Sequence, residues 1–466
     1  MRQGPGAGPE FEAVGRTGAR RTEADARAGS APDRAAAGRD RGPHVGRDRG
    51  LYSEGEFSMR VLLSAIGSRG DVQPVVALAV RLRALGQEAR VCAPPDFGEW
   101  VEGLGIPFTP LGPELRPTGK ADPAAPPPSP EQRRRMVEGT IAVQFETLPA
   151  AAEDCDVIVA GGYLLPAARS VAERMGIGYV FAGYCPIALP SPHHAPPPLP
   201  MQGDAAADGA ADNRTLWERD ARRWNDLFGA ALNAVRASAG LAPVDDVRSH
   251  MLTDRPWLAA DPALAPWPGP GDPGVVQTGA WILPDERPLP AELEAFFDAG
   301  EPPVYFGFGS IRAPRDLGRN MVRAARAAGR RAVVLRGWAG LEPPDDGPDC
   351  LSIGEVNQQA LFRRVAAAVH HGGAGTTTTA ARAGVPQVVV PQQFDQHYWA
   401  QRIGDLGAGT AHAPGAPTAG SLAEALDRVL RPEVAARARS VAAAVRTDGA
   451  ETAARLLADA GARSPS

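Results

Sequence analysis

The sequence predicts an α/β protein made of two doubly wound domains. Short apolar runs alternate with stretches of helical periodicity. The alternation occurs twice, in separate halves of a chain of 466 residues, which is more than one core usually holds. In each half the first strand runs into a glycine-rich turn, Gly67-Ser-Arg-Gly-Asp71 and Gly307-Phe-Gly-Ser310. Strand–helix–strand order of this kind implies parallel sheets with right-handed crossovers.

The first half opens with a strand over Arg60 to Ala65. Apolar residues at helical spacing follow from Val72 to Leu85, stopped by Gly86. Ala89 to Ala93 is the next strand, and Asp156 to Ala160 and Gly178 to Ala182 extend the same sheet. Pro117 to Pro130 reads as a loop, and Pro190 to Asn213 as a long surface excursion, the kind that in compact domains often carries function. The Pro/Gly cluster from Pro266 to Gly274 marks an interdomain linker.

In the second half, strands are expected at Pro303 to Phe308, Arg331 to Leu335, Leu351 to Ile353, Ala366 to His370 and Gln387 to Val390. Leu317 to Ala328 and Thr377 to Ala383 are helices, and Ser421 to Ala460 is helical throughout. The expected domains are thus 59–268 and 275–466, with the last helix packing back on the first domain. Residues 1–58 lack apolar periodicity and read as a disordered extension, with Met59 as the natural start.

Composition removes several function classes. A net charge of -5 argues against a protein that neutralises nucleic-acid phosphates. No apolar run long enough for a membrane helix or a signal-peptide core is present, so a cytoplasmic protein without stable membrane insertion is expected. Cys92, Cys155, Cys185 and Cys350 are far apart, without metal-ligand spacing, and read as reduced buried thiols. His44, His250 and His412 show no metal spacing either. Arginine replaces lysine almost everywhere, a sign of coding bias rather than of a binding function.

Three motifs sit at carboxyl ends of strands, where open α/β sheets take ligands. In His370-His-Gly-Gly-Ala-Gly-Thr-Thr377 a strand, a glycine turn and a helix start follow one another. The backbone N–H groups and positive dipole of such a helix start form a diphosphate site, unless the glycines serve only tight packing. His371 and Thr376 add side-chain donors. No Gly-Lys-Ser/Thr follows, so this is not a Walker loop. Asp71 near the first helix start is either an N-cap or a carboxylate that takes a proton from an acceptor hydroxyl. Asp395 and Gln396, after the strand ending at Pro391, either cap a helix or bind the hydroxyls of a polar ligand. Arg336 and Trp338, and the run Gly354-Glu-Val-Asn-Gln358, also lie at strand ends, Trp338 lining a base pocket or packing in the core.

Together these pieces resemble the bacterial glycosyltransferases that decorate glycopeptide antibiotics of the vancomycin type, in glycosyltransferase family 1. The resemblance runs from Met59 to the C-terminus. It rests on the Gly67 to Asp71 turn, Cys92-Ala-Pro-Pro-Asp96, Gln144-Phe-Glu, Pro149 to Ala152, Pro256 to Asp261, Gln277 to Pro288, Val304 to Ser310, Gly354 to Asn357 and His370 to Thr377. Gln277-Thr-Gly-Ala-Trp-Ile-Leu-Pro-Asp-Glu-Arg-Pro288, the longest match, and the Pro-rich loop near Ser191 are much more specific than the glycine-rich motifs.

The resemblance implies a GT-B fold: two Rossmann-like domains with parallel sheets facing across a cleft, acceptor on the first and nucleotide sugar on the second. It implies inverting transfer without a metal, with no cofactor beyond a UDP- or dTDP-linked co-substrate. Asp71 matches the catalytic base. Ser68 and Arg69 match neighbouring positions that place acceptor or phosphate. Ser310, His371, Gly373, Gly375 and Thr376 match the diphosphate site. Arg336, Trp338, Val356 and Asn357 match the nucleoside pocket, and Asp395 and Gln396 the sugar-facing pair. The implied acceptor is a phenol of a peptide-antibiotic aglycone and the implied sugar a hexose, glucose.

The chain departs from the pattern at Gln358-Gln359 and in the Ala/Asp/Gly-rich loop from Ala195 to Asn213. Other readings are a transferase for a macrolide, sterol or lipid, a non-catalytic nucleotide-sugar-binding paralogue, and a nucleotide-dependent oxidoreductase. The last is disfavoured because no G-x-G-x-x-G follows the first strand.

Overall fold

A computed structural model describes residues 58–120, 128–197, 211–269, 274–310 and 316–461. The expected extension (apart from Ser58) and parts of the Pro117–Pro130 loop, the Pro190–Asn213 loop and the expected linker therefore lie outside the described residues.

Two parallel sheets organise the chain. The first contains β1 (Arg60–Ala65), β2 (Glu88–Ala93), β3 (Phe108–Pro110), β4 (Val157–Gly161), β5 (Gly178–Gly183), β6 (Trp257–Leu258) and β7 (Val276–Gln277), in the order β3-β2-β1-β4-β5-β6-β7. The second contains β8 (Val304–Gly307), β9 (Ala332–Leu335), β10 (Cys350–Ile353), β11 (Ala367–His370), β12 (Gln387–Val389) and β13 (Gly409–Ala411), in the order β10-β9-β8-β11-β12-β13. Every pairing is parallel. Val61 to Leu63, Val304 to Phe306 and Ala367 to Val369 are fully or almost fully buried, the pattern of strands covered on both faces. Strand order reverses between β1 and β4 and between β8 and β11, so each sheet opens a crevice at those carboxyl ends.

The first helix spans Arg69–Ala84 and so begins three residues before the first of the periodic apolar residues. Its N-cap is Ser68, and Asp71 completes a capping box from the third helical position. The expected single helical tail is three helices, Ala419–Val429, Pro432–Ala442 and Gly449–Gly461. Pro432 opens the second of these, where its missing N–H costs nothing. Before the third, the Arg446 N–H is drawn to buried Asp261 at 2.8 Å. That third helix lies on the first: Ala450, Ala453, Ala454 and Leu457 join Val72, Val75 and Val76 in one buried cluster. Its start crosses the segment that joins the two sheets so closely that a Cβ on Gly449 would lie 2.4 Å from the Gly279 carbonyl carbon.

Two further helical regions lie where the sequence shows no clear stripe. Pro130–Ala151 buries only Val137, Ile141, Gln144, Leu148 and Ala151 of 22 residues. Asn213–Trp224 is capped by Asp212 and continues through a π-helical turn, Asn225–Gly229, into Ala230–Ser238. Among the described residues no helix is long and apolar enough to cross a membrane. All four cysteines are buried, unbridged thiols.

Candidate active site

The turn after β1 sets the first functional group. Gly67 has φ +143, a value side chains rarely adopt, and a Cβ there would lie 2.2 Å from Asp71 Oδ2. The chain can therefore fold Asp71 back onto its own N-cap. Asp71 Oδ2 accepts from the Ser68 backbone N–H at 2.8 Å and from Ser68 Oγ at 3.2 Å. No hydrogen bond to Asp71 Oδ1 is present among the described residues. Burial pushes the Asp71 carboxyl up to about 6, partly offset by the Ser68 hydrogen bonds. Asp71 is thus neither a plain N-cap nor an unconstrained carboxylate.

Across the cleft, Asp395 precedes the helix Gln396–Asp405 but makes no capping bond. Its Oδ2 accepts from Trp399 Nε1 at 2.9 Å. Burial pushes Asp395 up to about 6 as well, and the charge of Asp71 adds to the shift. The preceding residue, Phe394, holds φ 52 and is 40% exposed.

The turn after β11 forms the anion-accepting end. His370 is fully buried, its Nε2 bonded to Gln387 Oε1 at 2.9 Å while Nδ1 accepts from the Gly372 N–H at 3.1 Å. Those partners fix its tautomer, and burial lowers it to about 3, so it is a structural group. His371 differs. Its ring lies between two glycines: a Cβ would come within 3.2 Å of it at Gly309 and within 2.6 Å at Gly373. Burial lowers it to about 4, the Gly307 backbone partly opposing the shift, and its buried Nδ1 lacks a hydrogen bond of good geometry. The helix Ala374–Ala383 starts on Gly373, which has no side chain to cap it. Gly375 is exposed, and Thr376 and Ser310 are partly buried. An uncapped helix start beside a buried, neutral imidazole can accept an anion.

Several expected ligand side chains have protein partners instead. Ser68 Oγ accepts from Gly70 N and donates to Asp71. Arg69 donates to Gln73 and Glu355 and lies over Trp100. Asn357 caps the helix Gln358–Leu361 through Oδ1, and both Nδ2 hydrogens are used, on Asp285 O and Arg287 O at 2.8 Å each. Its donor capacity is full, so Asn357 ties the 285–287 segment to this sheet rather than presenting donors to a ligand. Gln396 Oε1 accepts from Gln392 N and Gln393 N and braces the loop that presents Asp395. The two residues that depart from the family pattern are also ties, Gln358 to the Tyr305 hydroxyl and Gln359 to Leu283 O.

Arg336 and Trp338 follow β9, and Val356 follows the neighbouring strand β10. Exposed Arg336 donates to Ser352 O at 3.3 Å, and the backbone N–H of partly buried Trp338 donates to Gly309 O at 2.9 Å. The sole grouping of potential metal ligands among the described residues, Asp345, Asp349 and Cys350, is clamped by Arg326 through both carboxylates.

Tyr184 escapes sequence reading: its hydroxyl donates to the Asp71 carbonyl at 3.0 Å and stands where a Cβ of Gly161 would be. The glycine closing β4 is the one available signal. Tyr163 likewise packs 5.7 Å from both Phe181 and Trp224, and Trp224 stacks on Phe228 at 5.0 Å. These rings share one buried cluster with Trp399 of the second half.

Comparison with known proteins agrees with this fold. Residues 61–182 match the glycosyltransferase family 28 N-terminal domain, and residues 346–455 the erythromycin biosynthesis protein CIII-like C-terminal domain. The chain is 54% identical to glycosyltransferase GtfE of Amycolatopsis orientalis over 86% of its own length and 97% of that protein's. It is 52% identical to the vancomycin aglycone glucosyltransferase of the same organism, over 87% and 98%. A crystal structure of the glycosyltransferase of kitacinnamycin shares the fold, with TM-score 0.63 and 21% identity over 86% of this chain and 98% of that one.

Proposed function

The chain belongs to the vancomycin-type glycopeptide glycosyltransferases, and on that premise we propose that it moves a hexose, glucose, from UDP or dTDP to a phenolic hydroxyl of a glycopeptide-antibiotic aglycone. Transfer inverts the anomeric carbon and uses no metal ion.

The observation that carries this reading is the Asp71 carboxylate. Ser68 holds Oδ2, and Oδ1 is left to meet the acceptor O–H. As that oxygen attacks the anomeric carbon, its proton passes to Asp71 and the bond from carbon to the diphosphate oxygen breaks. Charge then develops on the leaving diphosphate. The N–H groups at Gly373, Ala374 and Gly375, with the His371 imidazole and the Thr376 and Ser310 hydroxyls, stabilise it by preorganised donation. Asp395 receives hydroxyls of the sugar. Arg336, Trp338 and Val356 take the nucleoside.

The test is transfer with a chelator present. Protein is offered UDP-glucose or dTDP-glucose and a vancomycin- or teicoplanin-type aglycone, and products are read by mass spectrometry. Gain of one hexose supports the reading. Saturable nucleotide binding without transfer to any such aglycone overturns the acceptor assignment, and activity that disappears with the chelator overturns the metal-free step.

A further inference from the structure

Arg69 opens the helix that carries Asp71, yet its guanidinium turns across the cleft. Nη1 lies 3.4 Å from Glu355 Oε2, and Arg116 Nη2 lies 3.8 Å from Glu355 Oε1. Glu355 follows β10 in the second half of the chain, whereas both arginines belong to the first. One carboxylate thus receives two cations from the opposite side of the cleft. The Arg69 guanidinium carbon sits 3.7 Å from the Trp100 ring centroid, over the ring, and its Nε donates to Gln73 Oε1 at 3.1 Å. Stem and head are therefore both held. Arg287 and Asp285 also act on Arg69, but Asp285 takes both its oxygens to Arg287, at 2.9 and 2.7 Å. Glu355 is the acid that balances Arg69 and Arg116. Without its charge, cations from the two halves would face each other across the cleft and favour opening.

We propose that Glu355 is a cross-cleft positioning residue. By anchoring Arg69 and Arg116 it holds the two halves closed, with the Asp71 turn presented to the donor site. Arg69 is then a strut rather than a ligand of the diphosphate. The inference rests on the second half being the donor domain, as proposed above. Glu355 is 58% exposed and Arg69 32%, so the pair shifts a closing equilibrium several-fold rather than by orders of magnitude. Donor binding favours the closed form, so a weaker latch lowers the apparent donor affinity while saturating donor restores closure.

The experiment compares the full chain with Glu355→Gln, Arg69→Gln and the double variant, measuring donor KM and kcat across ionic strength. Glu355→Gln is expected to raise donor KM by about three- to tenfold with kcat within about twofold, and to flatten the dependence of KM on salt. The double variant is expected to be no worse than the worse single one, because both remove the same link. Small-angle scattering of donor-free Glu355→Gln should show a larger radius of gyration, reversed by added nucleoside diphosphate. Tighter donor binding in Glu355→Gln, the result if Glu355 competes with phosphate for Arg69, overturns the proposal. So do an unchanged KM with unchanged salt dependence, and additive losses in the double variant. Failure of the donor-domain reading would be visible separately, as loss of nucleotide binding in none of the variants at His371.

Discussion

Asp71 and Asp395 come from opposite halves of the chain yet lie close enough that the charge of the first helps push the second, raised mainly by burial, up to about 6. Burial holds Asp71 at about 6 too. Only the ionised form of Asp71 can accept a proton. We expect kcat/KM for the acceptor, at saturating donor, to fall below about pH 6, by about tenfold per pH unit for one essential carboxylate. Because Asp395 titrates in the same window, the acid limb should be described by two macroscopic steps. A limb centred near pH 4 would contradict a buried base.

Asp71→Asn tests role and environment together. It should keep nucleotide binding and lose about 10²- to 10⁴-fold in turnover, the usual worth of a positioned base. Its effect on stability has the opposite sign. The folded-state value of about 6 lies above the ordinary 3.8, so the native fold favours the neutral carboxyl. That contribution is present below about pH 4 and is lost as pH rises through 6. Asparagine cannot ionise and its Oδ1 still accepts from Ser68. At pH 7.5 the variant should therefore be more stable by on the order of 1–2 kcal/mol after allowance for partial solvation, and the gain should vanish near pH 4. Thermal unfolding at the two pH values measures it. A base held at the expense of stability is a common trade at active sites.

His371→Ala should weaken nucleoside diphosphate binding by about tenfold, the worth of one hydrogen bond to a charged group, with little loss of fold. Gly373→Ala should do nearly the same without touching the imidazole chemistry, because its Cβ would come 2.6 Å from His371 Nε2 and displace the ring. Calorimetric titration with UDP and dTDP reads both. Undiminished affinity in both variants would remove His371 from the diphosphate site.

Much of the scaffold is visible in the residues themselves, because parallel strands buried on both faces leave continuous apolar runs. β1 occupies the residues expected of it, Arg60–Ala65, and the other strands expected differ by a residue or two at their ends. The start of the first helix is misread because Asp71 draws attention as a cap, whereas Ser68 caps and Asp71 answers from the third helical position. What escapes is long-range pairing. Asn357 meets Asp285 and Arg287 about 70 residues away, Tyr184 meets Asp71 from 113 and Glu355 meets Arg69 from 286. No local pattern encodes these. A side chain in a motif can as readily brace the site as touch the ligand, and at Asn357 and Gln396 bracing is what the hydrogen bonds record.

The crossing of Gly279 and Gly449 gives the last prediction, about the frame that holds both halves. A Cβ at Gly449 would meet only backbone: the Gly279 carbonyl carbon at 2.4 Å, Ala280 O at 2.5 Å and Gly279 O at 2.6 Å. No rotamer relieves such a contact, so Gly449→Ala must lift the terminal helix off the joining segment. That helix buries Ala450, Ala453, Ala454 and Leu457 against the helix carrying Asp71, so the displacement reaches the base. We expect a loss of about 2 kcal/mol or more, the upper part of the usual overpacking range, together with lower turnover. Gly103→Ala is the control, because nothing lies within 4 Å of a Cβ at that position at the end of a short helix, and it should be neutral or slightly stabilising. Equal melting temperatures for the two variants would mean that the two segments can part without cost, and that the terminal helix does not fix the position of Asp71.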